Sequence, residues 1–304
     1  MNPIDQGALF VSAGAAGFFL SRLGNSDRFT SAVGLLNIWV ALPGLFFVIY
    51  AVRGILAADI GIVAFSFVFT FAMVSILLSV SKGMQADVRG AVVLNGAFVN
   101  AVNLPFPILQ LMMGTYAYAA TFAATTTALQ VVVARLLQQR FGTAPEKGTR
   151  ASMARAVPLL AIGVGVLVHY WVWPSAPSSG LLGWADLAEN ALIATIFVHF
   201  GVALARSIAV KGKGLGLPSR PFLATALART VIGPIIALLL ALPLGMGSAV
   251  YLQMVFVATM PPAIVNTLIS RVYGFDADSS AKWTTILTPI NTVEGVAFLL
   301  ILGG

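Results

Sequence analysis

Cysteine is absent from this chain, and charged residues are scarce. Without cysteine, disulfides, iron–sulfur clusters and thiol catalysis are excluded, and a structural zinc site is not expected. Only 9% of the 304 residues are Asp, Glu, Lys or Arg, whereas a soluble domain carries about 25%. This scarcity excludes a soluble enzyme, a disordered chain and a nucleic-acid-binding protein.

Apolar residues fill most of the chain. They make up 59% of it, and the mean hydropathy is +0.96. Because a helix needs about 20 apolar residues to cross the hydrocarbon core of a bilayer, the chain has material for roughly ten crossings joined by short loops. We therefore predict an all-α, multi-pass membrane protein whose constant partner is the lipid bilayer.

Apolar runs and the breaks between them predict ten spans. Their approximate limits are 7–23, 30–52, 56–81, 90–113, 115–138, 153–173, 181–205, 220–243, 248–270 and 280–302. Sixteen of the 17 basic residues, Arg229 among them, fall in the loops after odd-numbered spans or at the adjoining span ends, and Arg53 is the exception. By the positive-inside rule, this asymmetry places both termini outside the cytoplasm and explains the net charge of +7 without an acidic partner.

The longest charged connection, 141–152, lies close to the chain midpoint. It divides the chain into a first five-span repeat, 1–140, and a second, 153–304. Since each half contains an odd number of spans, the second half is predicted to be inverted relative to the first. Two inverted five-helix repeats are a common construction of membrane transporters.

Two spans carry paired prolines near their middle. Span 4 contains Pro105 and Pro107, and span 9 contains Pro261 and Pro262, about half the chain later. Proline inside a helix removes a hydrogen bond and clashes with the preceding turn, so we predict that helices 4 and 9 are broken. The freed backbone groups cannot face lipid, and paired interruptions indicate a transporter's substrate site near the bilayer midplane. Two ordinary proline kinks are the alternative.

The half-helices that follow the breaks are expected to favour an anion. We expect them to begin after Pro107 and Pro262 and to direct N–H groups and the positive ends of their dipoles inward. Polar side chains near the breaks, together with an asparagine on span 2, complete the predicted substrate site, although helix–helix hydrogen bonding explains any one of them equally well. The site residues are then Asn37, Asn100, Asn103, Pro105, Pro107, Gln110, Thr259, Pro261, Pro262 and Asn266.

Four stretches of the chain resemble the auxin efflux carrier family, which includes plant auxin exporters and bacterial malonate- and malate-type carriers. Residues 100–114 resemble the Asn…Gly-x-Pro…Gly crossover of that family, and 260–276 resemble its second, proline-rich crossover. Residues 42–47 (Leu-Pro-Gly-Leu-Phe-Phe) resemble its Leu-Pro-Ala-Leu-Leu-Phe, and 197–204 resemble its Phe-x-x-Gly-x-x-Leu. The matches occur in the expected order over most of the chain.

The resemblance implies ten helices, a transport domain that crosses at spans 4 and 9, and alternating-access transport of small organic anions such as malonate, malate or auxin-like acids. By position, Asn100 corresponds to the crossover asparagine, and Pro107 and Pro261 to the helix-breaking prolines. Pro105 stands where the family has glycine, and Asn266 where plant members have an apolar residue or proline, so the substrate is expected to differ from auxin. The short central connection resembles bacterial members, which implies a bacterial inner (plasma) membrane.

Two ionisable residues are candidates for ion coupling. Glu294 is predicted to be the only acid well inside a span, about 18 Å of helix beyond Lys282, with no basic residue evident to pair with it. It is a candidate carrier of H⁺ or Na⁺, or else a neutral, hydrogen-bonded carboxylic acid with a packing role. His199, in the middle of span 7, either titrates near physiological pH or is a neutral hydrogen-bonding residue.

Other classes of function remain as alternatives. A sodium- or proton-coupled symporter or antiporter of the bile-acid-symporter type shares the architecture, although paired intramembrane Asp residues and a Glu-rich crossover are absent from the sequence. An intramembrane enzyme is disfavoured, because His-Glu-x-x-His and Gly-x-Ser-x-Gly are absent. A channel is a third alternative. No Walker A motif, cofactor motif or metal site is found, and a homodimer is an open alternative to a monomer.

Overall fold

A computed structural model describes residues 3–22, 26–143, 149–172, 179–209, 219–243 and 247–303. The helices in these ranges are α1 (Pro3–Leu20), α2 (Ser26–Leu36), α3 (Leu42–Arg53), α4 (Ala57–Val80), α5 (Ala86–Ala97), α6 (Pro105–Met113), α7 (Ala117–Phe141), α8 (Thr149–Leu167), α9 (Ser179–Ala209), α10 (Arg220–Leu227), α11 (Gly233–Ala241), α12 (Ser248–Ala258), α13 (Val265–Tyr273) and α14 (Ala277–Gly303). Wider, π-helical turns join α2 to α3, extend α8 and join α10 to α11; they are Asn37–Ala41, Val168–Val172 and Ala228–Ile232. The predicted all-α class is confirmed.

Six helical stretches in the described ranges are long and apolar enough to cross a membrane, as expected for a multi-pass membrane protein. They are Ala32–Arg53, Ala57–Val80, Ala117–Phe141, Leu182–Val202, Arg220–Ala241 and Ala277–Gly303. Three shorter apolar helices are Gly7–Leu20, Val157–Val172 and Ser248–Ala258. Around the predicted connection 141–152, α7 ends at Phe141 and the described part of α8 begins at Thr149, while 144–148 lie outside the described residues.

The helix is interrupted at both pairs of prolines. One interruption separates α5 from α6, and the other separates α12 from α13. The half-helix α6 begins at Pro105, not after Pro107 as expected, because a proline in the first turn lacks an N–H that would have had no intrahelical acceptor. The half-helix α13 begins at Val265, and Pro261 and Pro262 lie in the link before it.

Long helices pair closely around these interruptions. Helix α1 packs along α9, and α3 packs along α8, while α5 contacts α4, α7, α10 and α14. Glycines permit the α1–α9 contact: a Cβ on Gly201 would overlap the carbonyl oxygen of Gly14, and a Cβ on Gly17 would overlap that of Val198. Small residues at such a contact let two helix backbones approach within van der Waals distance.

Aromatic side chains fill the interior between α4, α6 and α7. The rings of Phe65 and Phe122 have centroids 6.0 Å apart, and Phe106 stacks on Tyr116 at 4.7 Å. Large apolar side chains also cover the outside of the molecule; Ile60, for example, is 74% exposed. An apolar exterior over a well-packed interior is what contact with lipid requires.

Candidate functional site

The two interruptions cross and bond to each other. The backbone N–H of Asn100 donates to the carbonyl of Pro261 at 2.8 Å, and that of Ala263 donates to the carbonyl of Phe98 at 3.1 Å. These bonds form an antiparallel bridge between Val99 and Pro262. We call the two crossing links, 98–104 and 259–264, the crossover. Each link supplies the backbone partners that the other loses where its helix stops, which is how non-helical backbone is tolerated within a membrane.

A chain of polar side chains connects the crossover to α9 and to the helix formed by α2 and α3. The Asn100 Oδ1 atom accepts from the Asn103 N–H at 3.1 Å, and the Asn103 Oδ1 atom accepts from Asn37 Nδ2 at 3.3 Å. The same Asn37 nitrogen lies 2.9 Å from Nδ1 of His199. We call these four residues the asparagine–histidine chain. The three asparagines were predicted as substrate-site residues and His199 as an ion-coupling residue, and the structure brings the four together.

Asn37 begins a widened helical turn. The N–H of Leu42 donates to the Asn37 carbonyl, five residues back, just before Pro43, which has no N–H of its own. Such π-helical turns accommodate a local mismatch in the helix ladder and occur frequently at functional sites. The Asn37 Oδ1 atom is buried and has no hydrogen-bond partner among the described residues. The asparagine–histidine chain therefore retains an unused acceptor.

Several N–H groups at the starts of the half-helices already have acceptors. In the first turn of α6, Phe106 and Ile108 donate to carbonyls four residues back, and the two prolines have no N–H. In α13, Asn266 and Thr267 donate to carbonyls three residues back. These four groups and the two prolines therefore offer no N–H to an anion in this conformation.

Asn266 holds the crossover together. Its Nδ2 atom donates to the carbonyls of Phe98 at 3.0 Å and Leu94 at 3.3 Å, at the end of α5. Its Oδ1 atom accepts from Gln130 Nε2 at 2.6 Å. The side chain is fully buried, and every hydrogen-bonding group on it is used. In this conformation Asn266 therefore acts as a structural cap on the end of α5.

Two other predicted site residues, Thr259 and Gln110, make contacts outside the asparagine–histidine chain. The hydroxyl of Thr259 donates to the Phe256 carbonyl at 2.6 Å. Gln110, on α6, lines a cavity of about 280 Å³ between α3, α6, α7 and α9. In the same cavity the hydroxyl of Tyr116 donates to Glu189 Oε1 at 2.6 Å. Tyr116 and Glu189 were not predicted as site residues. Glu189 lies within predicted span 7, and an acid inside a span could have indicated it.

An ion pair lies beside that cavity. Arg53 makes a two-pronged contact with Asp59, Nη1 to Oδ2 at 2.8 Å and Nη2 to Oδ1 at 3.1 Å. The hydroxyl of Thr121 donates to Asp59 Oδ1 at 2.6 Å and lies 2.7 Å from the hydroxyl of Tyr50. From the sequence, Arg53 was identified only as the exception to the charge asymmetry. An acid follows it six residues later, across a short link between two apolar helices, and this spacing could have indicated the ion pair.

The expectation that Glu294 has no basic neighbour is wrong. Arg229 was assigned to a cytoplasmic span end, but it lies inside the helix that runs from α10 to α11, fully buried. It interacts electrostatically with Glu294, and Glu294 Oε2 accepts from Asn291 Nδ2 at 2.9 Å. Glu294 is also not the only acid well inside a membrane-length helix, because Glu189 lies within Leu182–Val202.

The architecture defines an all-α protein of the multi-pass membrane class, with two interrupted helices crossing around a buried polar centre. Within the described residues, no group of three or more His, Asp or Glu is placed to hold a metal ion. The chain matches no protein-family model, and no curated protein matches it in sequence. The resemblance to the auxin efflux carrier family accordingly rests on the motifs given above.

Proposed function

We propose that the protein is a secondary-active transporter of small organic anions, carboxylates such as malonate, malate or auxin-like acids, that works by alternating access. The observation that carries this proposal is the mutual hydrogen bonding of the two helix interruptions, with the asparagine–histidine chain beside them. Paired broken helices that meet near the middle of a bundle are the usual location of a transporter's substrate site.

The proposed architecture is ten transmembrane helices in two inverted five-helix repeats, with both termini outside the cytoplasm. In that arrangement α1 of the first repeat corresponds to α8 of the second, and the helix of α2 and α3 corresponds to α9. Replacing each helix of the observed α1–α9 pair by its counterpart gives the other observed pair, α3 with α8. The packing therefore supports a two-fold relation between the halves.

The contact between Asn37 and Asn103 is the proposed point of movement. Asn103 belongs to the crossover, whereas Asn37 and His199 belong to helices that pair with α1 and α8. At 3.3 Å, the Asn37–Asn103 hydrogen bond is long and joins two neutral groups, so breaking it costs only about 1 kcal/mol. A carboxylate that accepts from these amides replaces that bond, and movement of the crossover relative to the paired helices then exposes the site alternately to each side.

A sodium- or proton-coupled symporter or antiporter of the bile-acid-symporter type is the second candidate. The observation that favours it is the position of Glu294 beside the crossover. A Cβ on the neighbouring Gly295 would lie 2.7 Å from the hydroxyl oxygen of Thr259. This part of α14 therefore packs closely on the break between α12 and α13. A carboxylate at such a break is a suitable ligand for a proton or a cation.

Thermal unfolding of the detergent-purified protein tests both candidates. A ligand that binds only the folded state raises the melting temperature, so we expect a rise with one of a panel of mono- and dicarboxylates. The rise should disappear in Asn103→Ala and persist in Thr195→Ala, whose hydroxyl bonds only within its own helix. No rise with any carboxylate, together with a rise with Na⁺ alone, would replace the organic-anion proposal with the second candidate.

Uptake into proteoliposomes tests transport itself. The carboxylate that stabilises the protein should accumulate in a saturable manner, and Asn37→Ala should reduce uptake while Thr195→Ala does not. Chemical conversion of the carboxylate would instead support an enzyme. Unitary currents too large for a carrier would support a channel.

A further inference from the structure

The last carbonyl groups before the two helix breaks are capped by different side chains. In a continuous helix the Ala258 carbonyl would accept from the N–H of residue 262, but that residue is Pro262 and has none. Arg229 Nη2 donates to this carbonyl instead, at 2.9 Å. At the corresponding end of α5, the cap is the neutral amide of Asn266. One break is therefore capped by a cation and the other by a neutral group.

The chain is shaped to hold the Arg229 guanidinium at this point. Arg229 is 0% exposed and lies in the widened turn Ala228–Ile232. A Cβ at position 233 would lie only 2.5 Å from Arg229 Nη2, so the glycine there leaves the space that the guanidinium occupies. Within the part of the chain that the structure describes, its Nε and Nη1 atoms have no hydrogen-bond partner. A neutral side chain would cap a single carbonyl with a smaller desolvation penalty, so the capping bond alone does not account for an arginine.

The surroundings of Arg229 are those of a cation site. The carbonyl end of α12 carries the negative end of a helix dipole, and it points at the guanidinium. The Glu294 carboxyl group interacts electrostatically with Arg229 and accepts from Asn291, whose own Oδ1 atom is buried with no partner among the described residues. Carbonyls at the ends of broken helices, with a carboxylate and amide oxygens, are the ligands that coordinate Na⁺ in transporters of this construction.

We propose that Arg229 is a tethered cation at the break between α12 and α13, where its guanidinium takes the place of a Na⁺ ion. The protein then adopts its binding-competent fold and binds substrate without Na⁺. The part of this proposal that concerns substrate rests on the proposed function. The part that concerns the cation does not, because occupancy of the position stabilises the folded chain whether or not substrate is present.

The test is the melting temperature of the full-length protein, without substrate, in NaCl, LiCl or guanidinium chloride at millimolar concentrations, against choline chloride at equal ionic strength. Wild-type protein should melt at the same temperature in all of them. Arg229→Ala should melt lower in choline and should recover saturably with Na⁺ or guanidinium, because a free ion then fills the vacated position. Arg229→Lys should keep most of the wild-type stability and show no such recovery.

Two further variants separate a cation site from general loss of packing. Asn266→Ala removes the neutral cap at the other break, so it should lower the melting temperature with no response to cations. Gly233→Ala keeps the arginine but displaces its guanidinium, so it should respond to cations as Arg229→Ala does. If both arginine variants fail to fold, Gly233→Ala alone decides the question by the presence or absence of saturable recovery.

Three results would overturn the proposal: a saturable response of the wild-type protein to Na⁺, an unchanged melting temperature in Arg229→Ala, or a loss that no small cation restores in either Arg229→Ala or Gly233→Ala. Carboxylate binding measured on the same samples distinguishes this failure from failure of the proposed function. Wild-type protein that shows no carboxylate response refutes the substrate class, while the substrate-free cation series still decides the role of Arg229.

Discussion

Removing the carboxylate of Asp59 should unfold this protein far more readily than removing an ordinary acid. The side chains of Arg53 and Asp59 are only 13% and 6% exposed. Besides the two bonds from Arg53, the carboxylate accepts from the Leu56 N–H at 2.8 Å and from the Thr121 hydroxyl at 2.6 Å. Asp59→Ala therefore removes a carboxylate that accepts from a buried guanidinium, an amide and a hydroxyl.

The expected size follows from that burial. Removing one partner of a buried ion pair lowers the free energy of unfolding by about 3–5 kcal/mol, because the other charge stays buried without compensation. An exposed ion pair contributes only about 0–1 kcal/mol. We expect about 3 kcal/mol for Asp59→Ala, since Arg53 retains bonds to the Ala117 carbonyl and the Thr121 hydroxyl. Asp59→Asn, which keeps the shape and one acceptor, should lose less.

The measurement is unfolding of the detergent-solubilised protein by increasing fractions of SDS. Asp278→Ala, which removes an exposed acid from the first turn of α14, is the matched control and should change the free energy of unfolding by less than about 0.5 kcal/mol. The double variant with Arg53→Ala should be less destabilised than the sum of the single variants. A loss below about 1 kcal/mol for Asp59→Ala, or additive single effects, would refute the argument from a buried pair.

Two more changes follow from specific contacts. Gly201→Ala should lower the free energy of unfolding by about 1–3 kcal/mol, because the added Cβ overlaps the backbone of α1. Gly163→Ala is the control, because no described atom lies within 4 Å of a Cβ at that position, and equal free energies of unfolding for the two variants would contradict the prediction. Tyr116→Phe removes the hydrogen bond to Glu189 and should cost about 1–3 kcal/mol in the same SDS titration, whereas an unchanged value would show that the contact is replaced by water.

The positions of the helices were largely predictable, because they follow from chemistry that is local in sequence. Apolar runs of membrane length and the links between them define the helical segments, and the paired prolines define where two of them stop. The exact start of α6 was not predictable to the residue. Proline both prevents a helix from continuing and suits its first turn, and only the backbone path selects Pro105 over a later start.

The pairing of polar groups was not predictable, because it depends on contacts between residues far apart in the sequence. Asn37, Asn103 and His199 come from three separate segments, and the sequence gives no register between them. For the same reason the sequence does not reveal that the Asn266 amide bonds to the end of α5 and to Gln130.

Arg229 shows the boundary between the two kinds of information. Hydropathy and proline act over a few neighbouring residues, so an all-α membrane protein with two interrupted helices can be predicted from the chain alone. A charge counted along the chain is assigned to the nearest loop, and so Arg229 was assigned to the cytoplasmic side. Its burial at the break between α12 and α13, near Glu294, became visible only in the folded chain, because burial and pairing depend on which helices become neighbours.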